Sequence, residues 1–151
     1  MWTVLEQGTD ENGPIGHGWT YSAHPIGAAA GVANLKLIDE LGLVDQAGRV
    51  GAYFQSALQA ALGDHAHVGE IRGEGLIAAV EFVADRDSRR FFDAADKTGP
   101  RIAAALAERG VIARAMPQGD ILGFAPPFCL TEAEADIIAT QTAEAVKSVL
   151  S

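Results

Sequence analysis

Residues 67–83 read HVGEIRGEGLIAAVEFV, and the way they fold decides what kind of domain surrounds them. β-Branched residues recur through the stretch, and Gly73 and Gly75 interrupt it near its middle. That combination predicts two strands with a bend or bulge between them. Upstream the texture is helical: Ala47, Val50, Phe54, Ala57, Leu58 and Ala61 recur at the 3.6-residue period, closed by Gly63 and Asp64. An earlier helix is predicted after Pro25, small in its first turns, continued by Leu35, Ile38 and Leu41 and stopped by Gly42. The opening MWTVLEQG is expected to form a helical turn or two, ended by Gly8.

Downstream, the polar DRDSRRFFD loop leads into a helix over TGPRIAAALAERG, with Pro100 near its first turn and Gly110 just past its end. VIARAM and DILGFAPP read as short strands separated by the turn PQG. Thr131 with Glu134 three residues on spells a capping box. Ile138, Thr142, Ala145 and Val149 give that last helix a buried stripe. Two helices followed by strands mixed with helices predict an α/β chain of the α+β kind. The expected division is residues 1–42 and residues 43–151.

Composition narrows the function. Apolar residues make up 48% of the 151 residues and the formal net charge is −9. Lys and Arg are scattered, so the basic footprint that nucleic acid or an anionic membrane requires is missing, and no partner of either kind is expected. No stretch is apolar and long enough to span a bilayer, and a cytoplasmic protein is expected. The single cysteine, Cys129, lies in the apolar run PPFCL and is expected to be buried and inert.

The residues with chemical potential are few. GPIGHGWTYSAHPIGAAAG, residues 13–31, places Thr20 between two aromatics just ahead of a predicted helix. A hydroxyl and backbone N–H groups there suit an anion. The same small residues also suit close helix packing, with Thr20 as an ordinary cap. Arg114, after an apolar strand, has the planar fork that grips a carboxylate at two points, and Arg72 invites the same comparison. Either is equally a surface arginine. His65 and His67 form an H-x-H pair without a third ligand at suitable spacing, so no metal is expected. His17 and His24 flank the threonine and either line a pocket or fill space.

At HGWTYSAHPIGAAAGVANL the sequence resembles the class III pyridoxal-phosphate-dependent aminotransferases, in particular the ω-transaminases. The likeness continues through VGEIRGEGLIAAVEFV, GVIARAM and FAPPFCLTEAEAD to the end of the chain. The resemblance implies a fold-type I enzyme whose C-terminal small domain, with the preceding interdomain helix, corresponds to this chain. It implies that Trp19 and Thr20 bind the phosphate of pyridoxal 5'-phosphate across a homodimer interface, and that Arg114 binds the carboxylate of a keto acid such as pyruvate. The amine or ω-amino acid donor is not fixed by it. It also implies that the aldimine lysine lies upstream of the threonine motif, outside this chain: Lys36, Lys97 and Lys147 stand in other contexts. No catalytic residue is therefore assigned, and the chain alone is expected to be inactive and to self-associate as a dimer or higher oligomer. The competing expectation is a non-catalytic α+β module that dimerises or binds a carboxylate.

Overall fold

The computed structural model describes residues 2–14 and 18–151. It divides into two compact units, Met1–Leu37 and Ile38–Ser151. The first holds helix α1 (Trp2–Asn12) and most of α2 (Pro25–Glu40). Helix α1 runs on past Gly8, where the sequence reading ended it. The hydroxyl of Thr9 and the side-chain amide of Asn12 donate to the carbonyls of Leu5 and Gly8, each four residues back, which extends the helix through its polar end. Neither helix buries any of its described residues. Gly42, left-handed at φ 60°, closes the turn that ends α2.

The second unit carries the core. Helix α3 (Leu43–Leu62) is followed by β1 (Val68–Glu74) and β2 (Ile77–Phe82). A short 3₁₀ turn (Ala94–Asp96), α4 (Thr98–Ala107), β3 (Arg114–Ala115), β4 (Ile121–Phe124) and α5 (Glu132–Leu150) complete it. The strands form one antiparallel sheet in the order β1-β2-β4-β3. The expected hairpin in residues 67–83 is present. Its bulge lies between Val68 and Glu70, and its turn is Gly75–Leu76, with Gly75 at φ 52°.

Alternation along β2 and β4 sorts the sheet into two faces. Ala78, Val80, Phe82, Leu122 and Phe124 are buried beneath the helices, where they meet Val50, Phe54, Leu58 and Leu62 of α3 and Ile102 and Leu106 of α4. Phe54 and Phe124 meet edge-on with ring centroids 5.9 Å apart. Helix α5 adds Ala135, Ala139, Thr142 and Val146. Of the expected stripe, Thr142 and Ala145 are buried, whereas Ile138 and Val149 are only partly buried. The other face of the sheet carries Ile77, Ala79 and Glu81 of β2 and is more exposed.

Polar contacts fix α3 against the entry to α5. Gln46 donates to the carbonyls of Phe128 and Leu130, Arg49 pairs with Glu132 at 2.6 Å, and the Tyr53 hydroxyl donates to Asp136 at 2.9 Å. The capping box is formed: the N–H of Glu134 donates to the Thr131 hydroxyl, and the Thr131 N–H donates to the Glu134 carboxylate. Donation to its carboxylate from the Thr131 N–H, and then from the Thr131 hydroxyl at 2.8 Å, holds the Glu134 carboxyl below its ordinary pKa. Thr131→Ala is expected to cost about 1 kcal/mol in chemical denaturation, the usual worth of an N-cap. An unchanged midpoint would show that Glu132 and Glu134 satisfy the helix start without it.

Candidate functional site

Trp19 and Thr20 begin a tight turn in the first unit. Ser22 N–H donates to the Trp19 carbonyl at 2.9 Å, and the Trp19 N–H returns a bond to the Ser22 hydroxyl at 3.1 Å. His24 N–H donates to the Tyr21 carbonyl, and Ala23 between them is left-handed at φ 59°. A non-glycine residue held there costs on the order of 1–2 kcal/mol. The cap of α2 is His24, whose carbonyl accepts from Ala28 N–H at 2.9 Å and whose Nδ1 faces Gly27 N–H at 3.4 Å. Thr20 is therefore not the ordinary cap. Neither its hydroxyl nor its N–H makes a hydrogen bond among the described residues. His17 lies outside the described residues.

An exposed hydroxyl and N–H with no internal partner are the donors a phosphate oxygen needs. On this point the turn fits the phosphate of pyridoxal phosphate. A lysine to anchor the cofactor's aldehyde is not part of the turn. Lys36 lies in the later half of α2, Lys97 immediately precedes α4 at φ 48°, and Lys147 is in the last turn of α5. Within the first unit, then, the residues present suit the phosphate end only.

Arg114 lies in the second unit, on edge strand β3 and on the open face of the sheet. Register places it opposite Gly123 of β4. Gly123 is opposite Ala79 of β2, and Ala79 is opposite Arg72 of β1. The four residues form one row across the sheet, with an arginine at either end and two nearly side-chain-free positions between. All four line the same open cavity of about 660 Å³. The two arginines differ in their company. Arg114 has no hydrogen bond or ion pair among the described residues. The Nη1 of Arg72 contacts Glu70 at 2.6 Å and Glu81 at 2.7 Å. The bond to Glu81 is the largest influence holding that guanidinium charged, and it outweighs partial desolvation. Sequence reasoning named both arginines but not their alignment, nor these carboxylates.

The remaining candidates resolve differently. Cys129 is exposed, not buried. The prolines before it keep PPFC out of any strand, so the apolar run lies over a surface groove lined by Ile112, Pro127 and Ile137. His65 and His67 are neighbours with ring centroids 5.8 Å apart, and no group of three metal-ligating side chains occurs among the described residues. The His67 N–H donates to His65 Nδ1 at 3.2 Å, so that nitrogen must stay unprotonated. Desolvation, with a smaller contribution from His67, lowers the His65 pKa. The folded state therefore binds fewer protons at His65 than the unfolded chain. This contribution to stability is complete above about pH 6.5 and is lost as pH falls from there toward the depressed folded value. The melting temperature is expected to drop between pH 7.5 and 5.5, a window above the carboxylates. His65→Gln should flatten that slope, and an unchanged slope would remove His65 as its source.

Comparison with known proteins places the chain in a family. A family model described as Aminotransferase class-III matches residues 4–146. The diaminobutyrate–2-oxoglutarate transaminase of Halomonas elongata is 56% identical over 149 residues, which is 99% of this chain and 32% of that protein. Among solved structures, a transaminase from directed evolution by ancestral reconstruction is 58% identical with a TM-score of 0.88, covering 98% of this chain and 32% of its own. A thermostable (S)-enantioselective ω-transaminase from Thermomicrobium roseum is 35% identical with a TM-score of 0.88, covering 99% and 33%. The chain thus spans about a third of the length of the relatives it matches.

Proposed function

The chain belongs to the class III aminotransferases, and from that footing we propose that it is the C-terminal portion of a pyridoxal-phosphate-dependent, cytoplasmic enzyme. That enzyme moves an amino group from an amine or ω-amino acid to a keto acid such as pyruvate. The observation that carries the reading is Arg114: a guanidinium on an open sheet face, without a partner among the described residues, above a floor that leaves room for an acid. Its fork binds and orients the acid's carboxylate by paired N–H···O bonds. Trp19 and Thr20 bind the cofactor phosphate through the Thr20 hydroxyl and the turn's N–H groups. When bound, the cofactor supplies the electron sink for amino-group exchange. The diaminobutyrate and 2-oxoglutarate in the Halomonas relative's name are compatible with the same substrate classes.

Titration with pyruvate, followed at arginine Nε–H resonances, tests the reading. Arg114 is expected to shift saturably, and Arg114→Gln to abolish the response. A response that survives in the variant would overturn the assignment. None of the three lysines stands beside the phosphate turn in sequence. Borohydride reduction in the presence of pyridoxal phosphate is therefore expected to leave no single-site pyridoxyl-lysine, and no turnover of an amine with pyruvate should be seen. A stoichiometric adduct at one lysine, with turnover, would show that the chain is catalytically self-sufficient.

Self-association is part of the same proposal. Trp2, Val4, Trp19, Tyr21 and Ile26 of the first unit are each more than two-thirds exposed. Apolar surface of this kind is commonly covered by a partner. A homodimer or higher homo-oligomer is expected by light scattering at micromolar concentration. A strict monomer there would count against it, and would also weaken the competing reading of a non-catalytic dimerisation module.

A further inference from the structure

Arg114 stands on the shortest strand of the sheet. Strand β3 is two residues long and pairs only with β4, through Arg114 opposite Gly123 and Ala115 opposite Leu122. One further bond, from Met116 N–H to the Ile121 carbonyl at 2.9 Å, closes the hairpin. A segment with so few bonds opens locally unless its partner is fixed. The geometry at Arg114 therefore depends on what fixes the start of β4.

That point is Asp120, between the turn at residues 117–119 and Ile121. Its carbonyl accepts from Phe82 N–H at 2.8 Å, which carries the β2–β4 pairing beyond Ile121. Its carboxylate Oδ1 accepts from Gly99 N–H at 2.7 Å, in the first turn of α4. Helix α4 has no cap of its own: Lys97 at the N-cap is left-handed at φ 48° and makes no side-chain capping bond. The acceptor comes instead from a residue 21 positions on in the chain. A carboxylate there is favoured both by the charge-assisted bond and by the helix dipole.

The joint has little slack. A Cβ added at Gly99 would stand 3.2 Å from Asp120 Cα and 3.3 Å from its Oδ1, so helix and hairpin meet with no side chain of Gly99 between them. Asp120 does not line the cavity that Arg114, Met116, Ile121 and Gly123 share. Its influence on an acid bound there must run through the hairpin. A cap drawn from the N-cap position would serve the helix alone, whereas this one ties the helix to the strand pair.

We propose that Asp120 is a positioning residue for Arg114: it ties the β3–β4 hairpin to the start of α4, and so sets where the guanidinium stands when it receives a carboxylate. This rests on the reading of Arg114 as the carboxylate anchor. Coupling of this kind is reciprocal. An acid at Arg114 is therefore felt at the Gly99 N–H, on the far side of the joint.

The test titrates the 151-residue chain with pyruvate and follows the Arg114 Nε–H and the Gly99 N–H together. Both are expected to shift with one saturation curve. Asp120→Ala should weaken pyruvate by about three- to tenfold, part of what one hydrogen bond to a charged group is worth, and should uncouple Gly99. The sign is informative, because removing a carboxylate from this hairpin would by charge alone strengthen an anion's binding. Asp120→Asn keeps an acceptor oxygen and should restore both binding and coupling. Thr131→Ala removes a cap from a different helix and serves as the stability-matched control, with pyruvate binding unchanged. Without any acid, exchange of the Met116 N–H should be faster in Asp120→Ala, normal in Asp120→Asn and normal in Thr131→Ala.

An Asp120→Ala chain that binds pyruvate as tightly as the wild type, or no worse than Thr131→Ala, overturns the proposal. So does an Asp120→Asn chain as weak as the alanine variant, since charge rather than a held acceptor would then be the cause. The underlying reading fails separately. If Arg114→Gln leaves pyruvate binding intact, or the wild type shows no saturable response, the assignment of Arg114 is wrong. Met116 exchange then decides on Asp120 by itself: an unaltered rate in Asp120→Ala means that it does not hold β3.

Discussion

Replacing Gly51 by alanine is expected to destabilise the chain by about 2–3 kcal/mol, although alanine is the better helix former. Helix α3 lies directly on the β1–β2 turn. An alanine Cβ at Gly51 would fall 2.2 Å from the Gly75 carbonyl oxygen and 2.3 Å from its carbon. Both are backbone atoms and cannot rotate away. The turn cannot readily retreat, because Gly75 is left-handed at φ 52° and its carbonyl is held at 3.0 Å by Gln55 Nε2. Helix propensity favours the substitution by about 1 kcal/mol. Overpacking opposes it by about 1–3 kcal/mol or more, and a clash this deep belongs at the upper end.

Gly48 supplies the internal control. It lies on the same helix with nothing within 4 Å of its would-be Cβ. Gly48→Ala should therefore stabilise by roughly 0.5–1 kcal/mol, the propensity effect alone. Opposite signs for the two variants in urea denaturation are the expected result. A neutral Gly51→Ala would show that the hairpin turn can move away from α3. The outer sheet face would then be less rigidly held than the register suggests.

How much of this was legible in the sequence depended on how local each cause was. The capping box of α5 needs only Thr131 and Glu134, three residues apart, and could be read directly. So could the left-handed stops at Gly42 and Gly110 and the hairpin that turns at Gly75. The extension of α1 to Asn12 was missed because glycine is a weak stop. Side-chain bonds from Thr9 and Asn12 can carry a helix across it. Cys129 was misplaced because an apolar run flanked by prolines has no period to show which side faces solvent.

The arginine row was invisible for a stronger reason. It depends on three successive pairings, 72 with 79, 79 with 123 and 123 with 114. A slip of one residue in any of them would turn a side chain to the other face. Thr20 is the reverse case. Its role was suggested by resemblance to a family, and composition alone left packing and anion binding both open. The structure adds that its hydroxyl is not engaged in capping α2.

Phe54→Ala is expected to have the larger effect on stability, about 3–5 kcal/mol. The side chain is fully buried and stands edge-on to Phe124 with an interplanar angle of 81°. Truncation removes its burial and leaves a cavity between α3 and β4 that neighbours on a sheet cannot fully close. Domains of this size have on the order of 5–15 kcal/mol in total, so the variant should be close to unfolding at 37 °C. Phe54→Leu keeps most of the volume and should lose much less, about 1–1.5 kcal/mol. The loss also has a functional consequence. Phe124 adjoins Gly123, the residue paired with Arg114, so slack beneath β4 is transmitted to the row above it. In the folded fraction of Phe54→Ala, amides of Leu122–Phe124 should exchange faster, and acid binding at Arg114 should weaken before global unfolding. Faster exchange confined to α3, with β4 and acid binding unaltered, would mean that the two faces of the sheet are mechanically independent. The open face would then owe its geometry to strand pairing alone.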